Sequence, residues 1–237
     1  CIRDRRFTAG VRFDFEHARL RYRNHTDTRY TKTRIKDDAV YELPLDIDDR
    51  STLKQTFTEL LPKFSVMYSF DEMRNLYLSV AKGYKSGGFN TQIFSDVLQQ
   101  KMMNRMGIGE VYDVQRGVAY KPEYSWNYEI GGHFSCMDGA VRGDFALFYI
   151  DCRDQQLTVF PPGQTTGRMM TNAGRTRSFG AETAIQISPW RTFDINLAYG
   201  YTDARFVRYE TTAKNDGGDP VRISYKGNRI PYAPQHT

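Results

Sequence analysis

The chain has 237 residues, a net charge of +5 from 33 Lys and Arg against 28 Asp and Glu, and an aromatic content of 14%. Its mean hydropathy of −0.62 is too polar for those aromatics to share one dry core, so they need a second apolar environment. No apolar run approaches the ~20 residues of a membrane-crossing helix, no leader with a basic start and apolar middle is present, and the interleaved charges give no nucleic-acid footprint.

The densest basic cluster, Arg3, Arg5 and Arg6, lacks interleaved aromatics and reads as a solvated face. Cys1 and the missing initiator Met suggest truncation. Cys1, Cys136 and Cys152 form no C-x-x-C pair and have no clustered His, so zinc and redox motifs are unsupported.

Along the chain the dominant signal is a period of two. Val11, Phe13 and Phe15 alternate with Arg12, Asp14 and Glu16, and a long polar connection is expected over residues 17–56. Phe64, Val66, Tyr68 and Phe70 then lead through a short turn at residues 71–75 to Leu76, Leu78 and Val80. A second long connection, 85–123, carries a short helix predicted over 94–106. Trp126, Tyr128, Ile130, Gly132 and Phe134 form the next strand, which turns at 136–139 into Val141, Phe145, Leu147 and Tyr149. That turn, near Asp138, sets Cys152 away from the partner of Cys136, so no disulfide is expected between them. After a third long connection, 154–168, Phe179, Ala181, Thr183, Ile185 and Ile187 turn at 188–191, around Pro189, into Phe193, Ile195, Leu197, Tyr199 and Tyr201. The last long stretch is 203–235.

Strict short-long alternation sets all tight turns at one end of a sheet and all long loops at the other. Transmembrane β-barrels are built that way, with short periplasmic turns, long extracellular loops, and strands apolar on the lipid side and polar on the lumen side. The fold class expected is therefore all-β, an antiparallel transmembrane barrel portion of about eight strands. No repeat of fixed 20–50-residue period signals a propeller or solenoid. Residues 229–237 read as a Pro-containing lead-in to a further strand, because open strand edges in lipid leave backbone groups unpaired at several kcal/mol each.

Several stretches resemble a known family. The run NLYLSVAKGYKSGGFN at residues 75–90 is similar to a strand and loop entry common in TonB-dependent outer-membrane receptors. Lys121, Pro122 and Glu123 with residues 126–131, then 143–156, resemble two more of its strands. Asn172, Ala173 and Gly174 with Phe179, Gly180, Ala181 and Glu182 resemble another, and IPYAPQHT at 230–237 resembles the approach to a further one. The matches occur in the family's order over residues 64–237. The resemblance implies a section of a 22-stranded plugged barrel that binds a scarce solute, often a ferric chelate such as a siderophore, at its outer face. Release inward follows when the inner-membrane TonB complex pulls the plug. Residues 1–237 are then expected to be a partial barrel without the plug domain or the terminal strand. Expected partners are outer-membrane lipid, a small metal chelate and the TonB complex through the missing plug, with the outer membrane as the location.

No hydrolase elbow, zinc-protease helix or phosphate loop is present, so neither an enzyme nor a cofactor is expected. The histidines at 17, 25, 133 and 236 are scattered, and His133 falls on the lumen-facing register. Asp46, Asp48 and Asp49, and Asp216 with Asp219, are oxygen-rich, yet neither set has calcium-loop spacing, and no metal site is assigned. Glu129, Asp144, Glu182 and Asp194 share the wet face, either lining it or meeting a plug or substrate. The Asn24, His25, Thr26 triplet is a chance match to a glycosylation signal.

Tyr84, Lys85 and Phe89 sit where a strand leaves the membrane, as girdle residues or as the rim of a ligand pocket. Loop arginines such as Arg168, Arg175 and Arg177 suit anionic chelates through charge-assisted bonds. Tyr84, Lys85, Phe89 and Arg168 are thus the candidate ligand contacts. Active import is the leading reading. A passive porin is the alternative within membranes, and a secreted β-rich carbohydrate-binding module, with its aromatics as a stacking platform, the alternative outside them. Lopsided loop lengths favour the first.

Overall fold

The computed structural model describes residues 4–34, 39–107, 118–159, 168–172, 174–190, 192–214 and 220–237. Its strands in chain order are β1 (Arg5–Arg34), β2 (Ala39–Ser69), β3 (Arg74–Lys85) and the short β4 (Gly88–Phe89). A 3-10 turn at Thr91–Ile93 runs into helix α1 (Phe94–Arg105). Then follow β5 (Ala119–Tyr120), β6 (Glu123–Cys136), β7 (Val141–Arg153), β8 (Gln156–Val159) and β9 (Met169–Asn172). The chain continues through β10 (Arg175–Trp190), β11 (Phe193–Arg208), β12 (Glu210–Lys214) and β13 (Pro220–Ser224). Seven strands make one antiparallel sheet in the order β1-β2-β3-β6-β7-β10-β11, while β4-β5, β8-β9 and β12-β13 are separate two-stranded ribbons.

Register explains the alternation. One row across the sheet runs Phe7, Val66, Leu78, Ile130, Leu147, Ala181 and Tyr201, apolar at every strand. The adjacent row, Thr8, Ser65, Ser79, Glu129, Phe148, Gly180 and Thr202, is small or polar except for Phe148. The apolar face is exposed: Phe7 keeps 66% of its surface, Leu78 52% and Leu197 57%. An apolar surface spanning seven strands far exceeds what a soluble monomer leaves in water, and a bilayer supplies the missing apolar phase. On the inner face the Phe148 ring lies over Gly180, and on the outer face the Phe134 ring lies over Gly143. A Cβ at either glycine would overlap the ring, so both must stay bare.

The short turns, at 70–73 and 137–140, and the short connection between Trp190 and Phe193 lie at one end of the sheet. In the second, Met137 and Asp138 both have positive φ, as does Gly139, the backbone twist that a tight hairpin between right-twisted strands requires. In the first, the Asp71 carboxylate accepts the Met73 amide at 2.9 Å and holds Arg74 by an ion pair. These bonds, the Arg74 contact foremost, hold the Asp71 carboxyl below its usual range.

The long connections differ from expectation. Residues 17–34 and 39–56 are not a polar loop: β1 and β2 pair without a break from Arg5↔Tyr68 to Arg34↔Ala39, and residues 35–38 of that expected connection lie outside the described residues. The polar pattern hid a strand pair that extends beyond the apolar band, where charges on both faces are unpenalised. One of its faces is also partly apolar, with Leu20 opposite Leu53. β11 likewise runs on to Arg208. The helix expected over 94–106 forms at Phe94–Arg105, with Asp96 in its first turn and Arg105 in its last complementing the dipole. Beyond β11 the final residues start to add another strand. Ile230 donates to the Ala204 carbonyl at 3.0 Å, and Gly200 and Thr237 exchange amides at 3.0 and 3.1 Å.

A small core sits outside the sheet among the long connections. Ile93, Val97 and Val118 are buried there, packed by Leu20, Leu53, Phe89, Phe94 and Met169. The Tyr22 ring meets Phe94 at 4.6 Å. α1 thereby lies on one face of the β1–β2 ribbon.

Candidate functional site

Three side-chain amides join the loop after β3 to the loop after β7. Asn90 is buried; its Nδ2 donates to the Met170 carbonyl at 2.9 Å, its Oδ1 accepts the Met170 amide at 2.7 Å, and its own amide donates to Val118. Asn172 accepts the Lys121 amide at 2.8 Å and donates to the carbonyls of Lys121 and Asp154 at 2.9 and 2.8 Å. Gln156 gives its backbone amide to Glu123 at 2.7 Å and its side-chain Nε2 to the carbonyls of Ser86 and Lys121. An Asn or Gln side chain carries the same donor and acceptor as a peptide unit, so each replaces a missing strand in pairing irregular backbone. None of these side chains was expected from the sequence to join loops. Lys121, Glu123 and Asn172 lay inside recognisable motifs, but nothing local announces that they meet across 51 positions.

Phe89 and Arg168 come together. With Asn90, Gln92, Tyr120 and Met170 they line a cavity of about 320 Å³ between the two joined loops. Arg168 is exposed and has no ion-pair or hydrogen-bond partner among the described residues. Phe89 faces the small core as well as this cavity, so its packing role is established by geometry. Tyr84 and Lys85 are elsewhere, at the end of β3 opposite Tyr124 and Glu123. The rings of Tyr84 and Tyr124 are 5.7 Å apart, the Tyr84 hydroxyl is buried with no partner, and Lys85 is exposed. Arg175 is committed to Asp151 at 2.6 Å.

The wet face of the sheet carries a second polar set. Tyr77 donates to Glu129 at 2.8 Å and stacks on His133, which is bonded to Asp144. Cavities of about 700 and 520 Å³ open here, one against His133, Asn75 and Gln186, the other against Tyr77, Asp144 and Glu182. The side-chain carbonyls of Asn75 and Asn127 are buried without a partner. Glu129, Asp144 and Glu182 share this face, as their register with Ser79, Ala184 and Gly200 requires.

Two of the three carboxylates in the acidic cluster of β2 are paired with cations, and Asp46 lies 3.8 Å from His25. Asp48 pairs with Arg23 at 3.0 Å and with Arg50, while Asp49 pairs with Lys101 at 2.6 Å. Arg50 and then Arg23 hold the Asp48 carboxyl far below its usual range. No group of three metal-binding side chains occurs among the described residues. Asp216 and Asp219, with Cys1, Arg3 and Ala173, lie outside those residues. Cys136 is level with Val141 and Cys152 with Ser125, so the two thiols sit near opposite ends of the β6–β7 pair.

Comparison with known proteins bears on this arrangement. Residues 6–237 match the family model described as "TonB dependent receptor-like, beta-barrel". The pesticin receptors of Yersinia enterocolitica and Yersinia pestis are each 26% identical over 185 residues, which is 77% of this chain and 22% of theirs. The chain therefore spans about a fifth of the length of these curated relatives. Among solved structures, the ferric yersiniabactin uptake receptor from Yersinia pestis matches with a TM-score of 0.54 at 21% identity, over 98% of this chain and 27% of that one. A siderophore receptor from Acinetobacter baumannii matches with a TM-score of 0.60 at 17% identity, over 98% and 28%. At those identities the structural likeness speaks to the fold alone.

Proposed function

The chain belongs to the TonB-dependent receptor β-barrel family, and from that premise we propose that it forms part of the wall and outer loops of a plugged outer-membrane barrel of about 22 strands that imports a ferric chelate. The carrying observation is a seven-stranded sheet with a continuous exposed apolar face, topped on one side by loops that line an open cavity. The relatives named for iron-chelate uptake point to the solute class. Arg168, unpaired on the rim, supplies a cation for an anionic chelate, and Phe89 and Tyr120 supply apolar walls. Tyr84 and Lys85 belong to the approach from the strand end rather than to this cavity. The lumen-facing Glu129, Asp144 and Glu182 are available to a plug. Energy for release comes from the TonB complex acting on that plug.

A passive porin would need an unobstructed lumen and has no use for loops sewn together by buried amides. A carbohydrate-binding module would gather its aromatics into one platform, whereas here they form a band over the whole outer face.

The test is uptake of radiolabelled ferric chelates by iron-starved cells expressing the full-length receptor, with and without a functional TonB complex. Accumulation of one chelate that disappears in both the receptor deletion and the TonB deletion is expected. Uptake indifferent to TonB would replace active import with passive diffusion.

A further inference from the structure

The outward face of the β1–β2 ribbon changes chemistry abruptly along its length. Phe7, Val11, Phe13 and Phe15 lie on that face opposite Val66, Pro62, Leu60 and Thr58. Continuing on the same face, the next residues are His17, Arg19, Arg21 and Arg23, opposite Thr56, Lys54, Thr52 and Arg50. From Phe15 to Arg23 the face has no acidic residue. Asp48, opposite His25, is the first, and Arg23 and Arg50 already occupy it.

Arg19 and Lys54 are direct register partners, which sets like charges about 5 Å apart at Cβ. Such a pair is unfavourable unless an anion lies between its members. Arg19, Arg21 and Lys54 are all exposed, and none has an ion pair or hydrogen bond among the described residues. They point away from the loop crown, because the opposite face of the ribbon holds α1 through Leu20, Leu53 and the Asp49–Lys101 pair.

Height supports an interfacial role. Phe7 to Phe15 covers about 26 Å of strand, which at a tilt near 40° is roughly 20 Å of bilayer, close to the height of a barrel's apolar band. Arg19 lies about 13 Å farther along the strand, at the level of the headgroups. Long basic side chains there extend along the surface toward phosphate oxygens, and the planar guanidinium engages two of them at once.

Building on the outer-membrane reading above, we infer that Arg19, Arg21 and Lys54 form a docking surface for the phosphate groups of a phosphorylated glycolipid in the outer leaflet. The surface anchors the emerging ribbon at the membrane boundary and so fixes the base on which α1 and the loop crown rest.

The experiment uses the full-length receptor in nonionic detergent, titrated with bis-phosphorylated lipid A or with its dephosphorylated form. Binding of the phosphorylated lipid should be at least about tenfold tighter and should weaken with salt, as expected for cations at an anionic surface. The triple variant Arg19→Gln, Arg21→Gln, Lys54→Gln should lose that preference while keeping the heat-modifiable gel shift of a folded barrel. Thr52→Glu, which gives Arg21 an internal partner without removing any cation, should weaken it in part. Equal preference in the triple variant and the parent would overturn the inference. So would displacement of the lipid by millimolar inorganic phosphate, which would make the patch a free-anion site, or by a ferric chelate, which would make it part of solute capture. Cell fractionation separates this result from the reading it rests on: a receptor absent from the outer membrane sinks that reading, whereas a resident receptor blind to lipid phosphate sinks only the inference.

Discussion

Asn172 illustrates how a single side chain sets the position of the putting-together of two loops, since it satisfies both backbone groups of Lys121 and the carbonyl of Asp154. Asn172→Ala leaves the Lys121 amide and the Asp154 carbonyl to find water, at about 1–3 kcal/mol for each that stays buried, while the Lys121 carbonyl keeps its bond from Gln156. The expected outcome is faster proteolysis within the loop crown with the heat-modifiable barrel intact, read by limited proteolysis of the full receptor in detergent. Arg168 has a different kind of role because nothing among the described residues uses its charge. Arg168→Ala should weaken chelate binding by about tenfold or more, the magnitude of one charge-assisted bond, without changing thermal stability. Fluorescence-quenching titration checks it, and unchanged affinity would remove Arg168 from the site. The sequence offered Arg168 and Phe89 as candidates by residue type, but not that they share a cavity from which Tyr84 and Lys85 are absent. That pairing depends on two loops meeting, and no local periodicity encodes it.

At the level of strands, adjacent residues answer to different solvents. Leu78 and Ser79 are consecutive on β3, one on the apolar face and the other on the wet face. Leu78→Arg, on the lipid-facing side, should destabilise the folded barrel by roughly 1–4 kcal/mol, while Ser79→Arg should cost far less. Urea titration of the refolded receptor in vesicles measures the difference, and equal effects would contradict the assignment of faces. The β1–β2 ribbon adds a pH prediction. Arg50 and Arg23 depress the Asp48 carboxyl from its ordinary value of 3.8, so the pairing is fully present above that value and is lost only as pH falls through the lowered one. Amide exchange in the outer ribbon should therefore be as protected at pH 5 as at pH 7. Loosening of the ribbon already at pH 5 would mean that Asp48 does not hold it. The strands facing two solvents were legible from alternation, and the short helix α1 was expected within the connection that holds it. The outer ribbon was not, because beyond the bilayer both faces tolerate charge and the period of two fades.

Over the whole molecule, a sheet of seven strands has two edges, β1 and β11, and the final residues already begin to pair with β11 through Ala204, Thr202 and Gly200. An apolar outer face in lipid requires every backbone group to be paired, so such a sheet is stable as part of a closed wall. The sequence by itself determined the antiparallel sheet, its apolar and wet faces, and the end at which the loops gather. Each of these follows from the two-residue repeat of a strand set between two solvents, which is a local property. Only the tertiary structure decided that residues 17–34 and 39–56 remain paired strands, that Asn90, Gln156 and Asn172 bind two loops into one crown, and that the cations of the ribbon face outward just above the apolar band. Those features depend on which strands are neighbours and in what register, and register is fixed by contacts between residues far apart in the chain.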